Sequence, residues 1–303
     1  MTPAIPLLFC CDPGFVQHMA VTIVSLLENC PDGSFDITVV TRKPFGNLEA
    51  RLRRTLARYR TVASLRILVF SLPEGVDLPK SEWPLDIYLR IWVARFYPPE
   101  VEKIIYLDSD LVILGNMVEV WNTELGSNLL AAVPIPGSNR WKLLETPKEY
   151  GYFNSGVMMF NLRSWRHRGC EATVFDYARN HPDRLIDPDQ DMLNACFYDS
   201  WVHLPYVWNV ISPFYKRSHP LDILESEVLE IQQGAKIIHY NGVAKPWLYG
   251  CDHPRAAEYW KYLKLTDWKD YVPPDRRTWN RVKKLATHLL PLSVRRGLKR
   301  LRS

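Results

Sequence analysis

The sequence predicts an α/β protein: a Rossmann-like, mostly parallel sheet with helices on both faces, then a basic helical C-terminal tail. Three observations carry that expectation. Short β-favouring runs alternate with helical stretches over roughly the first 115 residues, the rhythm of a doubly wound sheet. Carboxylates follow the ends of two of the predicted strands, Asp12 after the first and Asp108 and Asp110 after the fourth, where such sheets bind ligands. A hydrophobic content of 47% over 303 residues is ample for a large core, and no 18-residue apolar run is present to span a membrane.

Taken in order, Ile5 to Cys11 reads as the first strand, and Asp12-Pro13-Gly14 turns it into a helix from about Phe15 to Glu28. Phe35 to Thr41 is a second strand, Asn47 to Tyr59 a basic amphipathic helix, and Leu65 to Phe70 a third strand. Leu85 to Phe96 is helical and leads into a strand over Lys103 to Leu107. From Leu129 the rhythm changes: strands over Leu129–Val133 and Tyr152–Phe160 flank a Pro- and Gly-bearing loop. A helix over Cys170–Asn180 follows, then Asp187-Pro188-Asp189-Gln190-Asp191 caps a short helix through Phe197, and Lys236–Tyr240 is a further strand. With no linker between the halves, residues 1–250 are expected to form one unit. Residues 1–115 would be its nucleotide-binding half and 116–250 would complete the active site and hold an acceptor. Residues 251–303 are a C-terminal extension.

The chemistry gathers at Tyr106-Leu107-Asp108-Ser109-Asp110-Leu111. Aspartates at i and i+2 on extended backbone point to one side, and burying them between two apolar strands is costly unless a positive charge compensates. Hard oxygen ligands so placed suit Mg²⁺ or Mn²⁺, above all where substrate phosphates complete the coordination. The bland alternative is a turn, for which Asp-Ser-Asp is ordinary composition. No Gly-rich dinucleotide fingerprint follows the first strand and no phosphate-binding P-loop occurs, which disfavours those nucleotide folds.

The net charge of +5 misleads as an average. The last 25 residues hold eight Lys and Arg and no acid, leaving 30 basic against 33 acidic residues elsewhere, so the main body is not a nucleic-acid binder by charge. Six cysteines without a C-x-x-C pair fit reduced thiols, and the first residues lack a basic signal-peptide region. Both point to a cytoplasmic protein.

Six motifs now stand in order: Phe9-Cys10-Cys11-Asp12, Tyr88-Leu89-Arg90, Tyr106 to Asp110, Tyr152-Phe153-Asn154-Ser155-Gly156-Val157, Asp189-Gln190-Asp191-Met192-Leu193-Asn194 and the stretch from His239 to Trp247. Together they resemble glycosyltransferase family 8, which contains glycogenin and the bacterial lipooligosaccharide galactosyltransferases, and the bacterial branch most. The resemblance covers about residues 5–250. It implies a type A glycosyltransferase fold, a UDP-sugar donor, Mn²⁺ (with Mg²⁺ as substitute), a saccharide acceptor and retention of anomeric configuration. By position it implies Asp108, Asp110 and His239 as metal ligands, Lys245 on the diphosphate, Asp12 on the uracil and Phe15 beside the base. Ser109 and Gly242 would approach the nucleotide, and Arg90, Asn154, Asp189 and Gln190 would surround the donor sugar.

Two departures stand out: Cys10-Cys11 occupies a place where the family has small residues, and Phe15 one where Tyr is common. Gln190 stands where a double displacement would want a carboxylate nucleophile. Front-face attack is therefore expected, with Gln190 supporting developing positive charge, Asp189 holding sugar hydroxyls and Asp191 in a structural role. Trp247, following the lysine of the diphosphate, is a candidate stacking face for sugar, while core packing suits most of the other tryptophans. The loop from Pro134 to Pro147 is expected to fold over the donor, on no motif of its own.

In the tail, Trp279, Val282, Leu285 and Leu289 recur at helical spacing among Arg281, Lys283 and Lys284, and the pattern resumes after Pro291. Such a helix suits the surface of an anionic membrane at its inner face, where a lipopolysaccharide-type or other glycolipid acceptor would be presented; a solvated tail is the alternative. One rival enzyme class, the haloacid dehalogenase-type phosphatases, also begins from a strand followed by D-x-D, with Asp108 as its nucleophile. That motif belongs on a first strand, and the later acidic pair of that class is missing. A nucleotidyltransferase is disfavoured by the lack of a Gly-rich basic loop. A non-catalytic carbohydrate-binding protein on the same fold is the remaining alternative.

Overall fold

The computed structural model describes residues 4–76, 78–79, 84–216, 221–243 and 245–276. The expectation of a basic membrane-facing helix over 279–303 lies outside the described residues.

A seven-stranded sheet forms the centre. Its strands are β1 (Ile5–Cys10), β2 (Phe35–Thr41), β3 (Val62–Val69), β4 (Lys103–Leu107), β6 (Leu130–Pro134), β7 (Phe153–Asn161) and β8 (Trp201–His203), in the spatial order β3-β2-β1-β4-β7-β6-β8. A small second sheet has the order β5-β10-β9, from β5 (Leu111–Ile113), β9 (Val210–Ile211) and β10 (Ile237–His239). Four neighbouring pairs of the large sheet are parallel, among them β2 on β1 and β4 on β1. β7 runs antiparallel to both its neighbours, β4 and β6. This is the mostly parallel α/β architecture expected. Strands from before and after residue 115 share one continuous sheet.

The near-continuous apolar runs Leu7-Leu8-Phe9 and Ile104-Ile105-Tyr106-Leu107 are wholly buried, as strands covered on both faces must be. The helix Val16–Asn29 is buried on almost every side, which its composition anticipates. Its few polar positions have a specific use. Thr22, Ser25 and Asn29 lie in one row, three and four residues apart, facing the free edge of β5. The Thr22 hydroxyl donates to the Leu111 carbonyl (2.8 Å), the Ile113 amide donates to Ser25 Oγ (2.8 Å) and Asn29 Nδ2 donates to the Ile113 carbonyl (3.0 Å). A helix thus completes the ladder of a strand that would otherwise bury unpaired peptide groups.

The segment Leu85–Phe96 is wound as a 3-10 helix with a break at Trp92. That tight winding stacks residues three apart, so Pro84, Ile87 and Arg90 form one row along a cavity wall. Among the helices missed in the sequence are Glu225–Gln233, which precedes the His239 to Trp247 motif, and Ala256–Leu263, which follows it. The second packs on Val16–Asn29 and buries Tyr259, Tyr262 and Leu263. Among the described residues no cysteine is joined in a disulfide.

Candidate active site

The chain crosses from the large sheet to the small one through Asp108-Ser109-Asp110, and this crossing gathers the site. On one side, β7 lies antiparallel to β4, so the Asp108 amide donates to the Gly156 carbonyl (2.9 Å). That pairing lays Asn154, Ser155 and Gly156 beside Asp108. On the other side, β10 lies antiparallel to β5 with His239 opposite Leu111, and the Tyr240 amide donates to the Asp110 carbonyl (3.0 Å). Register alone therefore brings His239, 129 residues downstream of Asp110, to the two carboxylates.

His239 Nε2 stands 3.2 Å from Asp110 Oδ1 and 3.8 Å from Asp108 Oδ2, and the ligand atoms of these three residues lie within 4.8 Å of one another. Two hard carboxylates and one imidazole at that separation fit Mn²⁺ or Mg²⁺. A second observation agrees with the fit. A Cβ built on Gly156 would collide with the His239 ring and come within 2.8 Å of Asp108 Oδ2. Only glycine leaves this space open.

Both carboxylates are held by further charged partners. Asp108 Oδ1 accepts from Arg90 Nη2 (2.9 Å) and the Tyr106 hydroxyl (2.7 Å), which leaves Oδ2 toward His239. The Arg90 guanidinium lies 4.5 Å over the Tyr106 ring and also donates to the Ser155 carbonyl and hydroxyl, both at 2.9 Å. It pairs with Asp189 Oδ2 at 3.1 Å as well. Burial opposes its charge, but Asp108 and Asp189 outweigh burial and hold its pKa well above the ordinary value. Asp189 behaves oppositely: burial pushes its carboxyl up to about 6, against the pull of Arg90 and with added repulsion from Asp108. Asp110 is the third case. Burial would raise it, yet Lys245 and His239 hold it far below the usual carboxylate range.

All twelve candidates from the sequence line one cavity of about 380 Å³: Asp12, Phe15, Arg90, Asp108, Ser109, Asp110, Asn154, Asp189, Gln190, His239, Gly242 and Lys245. At one end Asp12 Oδ1 accepts the Gly14 amide (2.8 Å), with Phe15 beside it. Lys245 Nζ reaches Asp110 Oδ2 at 2.5 Å and the Tyr240 carbonyl at 2.9 Å. Gly242, in the same loop, has φ +82°, a conformation that side chains rarely adopt. Gln190 Oε1 accepts from both Asn154 Nδ2 (2.8 Å) and the Ser155 amide (3.0 Å).

Some expectations change. Asp187 occupies the N-cap position of the helix Pro188–Phe197 but makes no side-chain cap; its carboxylate pairs with Arg140 at 2.6 Å. Asp191, wholly buried, does the capping by reaching back to the amides of Ile186 and Asp187, both at 2.8 Å. Trp247 is core rather than a sugar platform. It is buried, stacks on His18 at 3.6 Å with an interplanar angle of 12°, and meets Phe15 edge-on. His18 itself is held neutral by burial, with a pKa of about 3. Because Trp260 Nε1 also donates to the Pro246 carbonyl (2.9 Å), the loop bearing Lys245 is pinned to both flanking helices. The loop 134–147 includes the helix Arg140–Leu144 and touches the cavity through Ile135.

Sequence reading missed Asp86, Cys10, Cys11 and Asp187 on the cavity wall and Asn209 behind it. Cys10 and Cys11 stood in a quoted motif, and burial raises both thiols, Cys10 well above its ordinary value. Asn209 lies in no motif.

Residues 6–251 match the family described as glycosyl transferase family 8. General stress protein A of Bacillus subtilis is 28% identical over 273 residues, 88% of this chain and 95% of its own length. A lipopolysaccharide 1,2-glucosyltransferase of Escherichia coli is 27% identical over 268 residues, 86% of this chain and 78% of its own. Among solved structures, the galactosyltransferase LgtC with donor and acceptor sugar analogues superposes with a TM-score of 0.75 at 21% identity, over 89% of this chain and 98% of that one. At that identity the likeness speaks for the fold, the type A glycosyltransferase fold.

Proposed function

The chain belongs to glycosyl transferase family 8, and from that premise we propose that it moves galactose or glucose from a UDP-sugar to a saccharide acceptor with retention of configuration. Lipopolysaccharide or lipooligosaccharide is the acceptor class, in line with what the relative from Escherichia coli is named for. The observation that carries this reading is the trio Asp108, Asp110 and His239 with Lys245 beside it, all lining one cavity of about 380 Å³.

In this reading the three residues hold Mn²⁺, or Mg²⁺, which would neutralise charge gathering on the phosphates as UDP leaves. Lys245 supplies a second positive charge to the diphosphate, Gly242 lets backbone approach it, and Ser109 lies along the nucleotide. Asp12 takes the uracil N–H and Phe15 lies against the base. Arg90 sets Asp108 and Asp189 at a fixed spacing, and Asp189 accepts from sugar hydroxyls. Gln190 does not act as a nucleophile, because both lone pairs of its carbonyl oxygen already accept hydrogen bonds. Its fixed dipole instead faces developing positive charge at the anomeric carbon, and attack comes from the leaving-group side. Residues 1–115 carry the nucleotide and 116–250 complete the sugar and acceptor sites. Among the described residues no helix is long and apolar enough to cross a membrane; the basic tail over 279–303 would dock a cytoplasmic enzyme on the anionic inner face of the membrane. The phosphatase alternative is set aside by family membership.

The test is release of UDP from UDP-galactose, UDP-glucose and their N-acetyl forms, with and without Mn²⁺. Slow, metal-dependent release from one donor supports the reading and names the sugar. No release and no UDP binding by calorimetry would leave a non-catalytic carbohydrate-binding role.

A further inference from the structure

Behind the cavity wall a chain of hydrogen bonds runs from His239 to Asp191, and its polarity is fixed by two peptide groups. The Gly156 amide donates to Asn154 Oδ1 (3.0 Å) and the Ser155 amide to Gln190 Oε1 (3.0 Å). A peptide N–H can only donate, so both acceptors are oxygens and the amide nitrogens must face the other way. Asn154 Nδ2 then donates to Gln190 Oε1 (2.8 Å), Gln190 Nε2 to the Tyr152 hydroxyl (2.8 Å), and that hydroxyl to Asp191 Oδ1 (2.6 Å).

The other end matters more. With its Oδ1 turned to the Gly156 amide, Asn154 accepts from Asn209 Nδ2 at 2.7 Å. Asn209 Oδ1 is thereby turned to His239 Nδ1 at 2.9 Å, so Nδ1 must carry a proton. His239 Nε2 is left facing Asp110 and Asp108. Asn209 is 1% exposed and His239 3% exposed, so water does not compete for these bonds. Leaving Asn209 unpaired here would be costly, which argues that the arrangement is kept for a purpose.

We propose that Asn209 is a positioning residue for the divalent cation: it holds the His239 ring with Nδ1 protonated and Nε2 presented as a ligand, its own orientation being dictated through Asn154 by the backbone at 155 and 156. This rests on the reading of Asp108, Asp110 and His239 as a metal site. Such outer partners fix the tautomer and direction of a ligating histidine, and their loss weakens metal binding 10- to 100-fold. Through the same chain the cation ligand and Gln190 share one rigid support.

The experiment titrates Mn²⁺ alone, without nucleotide, into wild type, Asn209→Ala, Asn209→Asp and His239→Ala, by calorimetry and by the loss of the free Mn²⁺ electron-spin signal. Asn209→Ala is expected to weaken binding about 10-fold or more, approaching His239→Ala. Asn209→Asp, which keeps an acceptor for Nδ1, is expected to stay within about threefold of wild type. It should melt at lower temperature, because its second oxygen faces Asn154 Oδ1. A wild-type affinity unchanged in Asn209→Ala but lost in His239→Ala overturns the role of Asn209 while sparing the metal site. A wild-type protein that binds no Mn²⁺ overturns both. Should Asn209→Ala not fold, ¹⁵N resonances of the His239 ring in Mg²⁺-loaded wild type decide the matter: a protonated Nδ1 supports the proposal and a protonated Nε2 overturns it.

Discussion

Lys245 Nζ lies 2.5 Å from Asp110 Oδ2, so the chain's own ammonium neutralises a carboxylate of the proposed metal site. A cation entering there competes with that ammonium, and the diphosphate then has a freed Lys245 to accept. Metal and UDP should therefore strengthen each other's binding. Lys245→Ala is expected to bind Mn²⁺ alone at least as tightly as wild type, yet to bind UDP in saturating Mn²⁺ about 10-fold or more weakly. Calorimetry on both ligands checks this; weaker Mn²⁺ binding in the variant would show that Lys245 does not compete for Asp110.

Each carboxylate of the pair also holds a cation, Asp108 the guanidinium of Arg90 and Asp110 the ammonium of Lys245. Asp110→Asn should lower metal-dependent turnover by about 100-fold or more and melt earlier, because Lys245 loses its paired carboxylate. Asp108→Asn should lose turnover as far and also melt earlier, though Arg90 keeps Asp189 as an ionised partner. Turnover within threefold of wild type in either variant contradicts the metal-site assignment.

Asp189 gives a pH dependence with a definite sign. Its carboxyl is raised by burial from 3.8 to about 6, so between those values the native protein holds a proton that the unfolded chain has released. Stability from this group is greatest below about pH 4, falls as pH rises to 6, and stays at its lower level above. Asp189→Asn removes that cost, and its gain over wild type should grow from pH 4.5 to pH 8 to on the order of 2–3 kcal/mol. Activity should move the other way, declining below about pH 6 as Asp189 takes up its proton, with little turnover in the Asn variant at any pH. Melting curves and rate profiles across that range test both.

Deleting residues 279–303 should weaken binding to anionic vesicles while leaving donor hydrolysis within about twofold. Every residue lining the cavity precedes the cut, the last of them being Lys245. Vesicle co-sedimentation at two ionic strengths is the measurement. Equal binding with and without the tail would remove its membrane role.

Much of this fold was legible because its signals are local. The strand over 35–41 and the helix over 170–180 were read to the residue from alternating apolar runs and their flanking turns. The cavity residues were legible for other reasons: Asp12, Asp108, Ser109 and Asp110 follow strand ends, where such sheets meet ligands, while Arg90, Asn154, Asp189 and Gln190 were found only through the order of the motifs and the family they resemble. What sequence could not give was any relation that depends on register between distant strands. That His239 rather than another histidine meets Asp108 and Asp110 follows from β10 pairing antiparallel with β5. That Asn209 meets the ring of His239 follows from β9 lying parallel beside β10. The pairing of Asp187 with Arg140, and burial of Trp247 against His18, were likewise decided by neighbours far along the chain. The sequence by itself determined which side chains could do the chemistry and which segments become strands and helices, because period and composition act over a few residues. Tertiary structure alone decided which of those side chains touch and which way each buried amide points, because those choices are made by hydrogen-bond partners that only folding brings together.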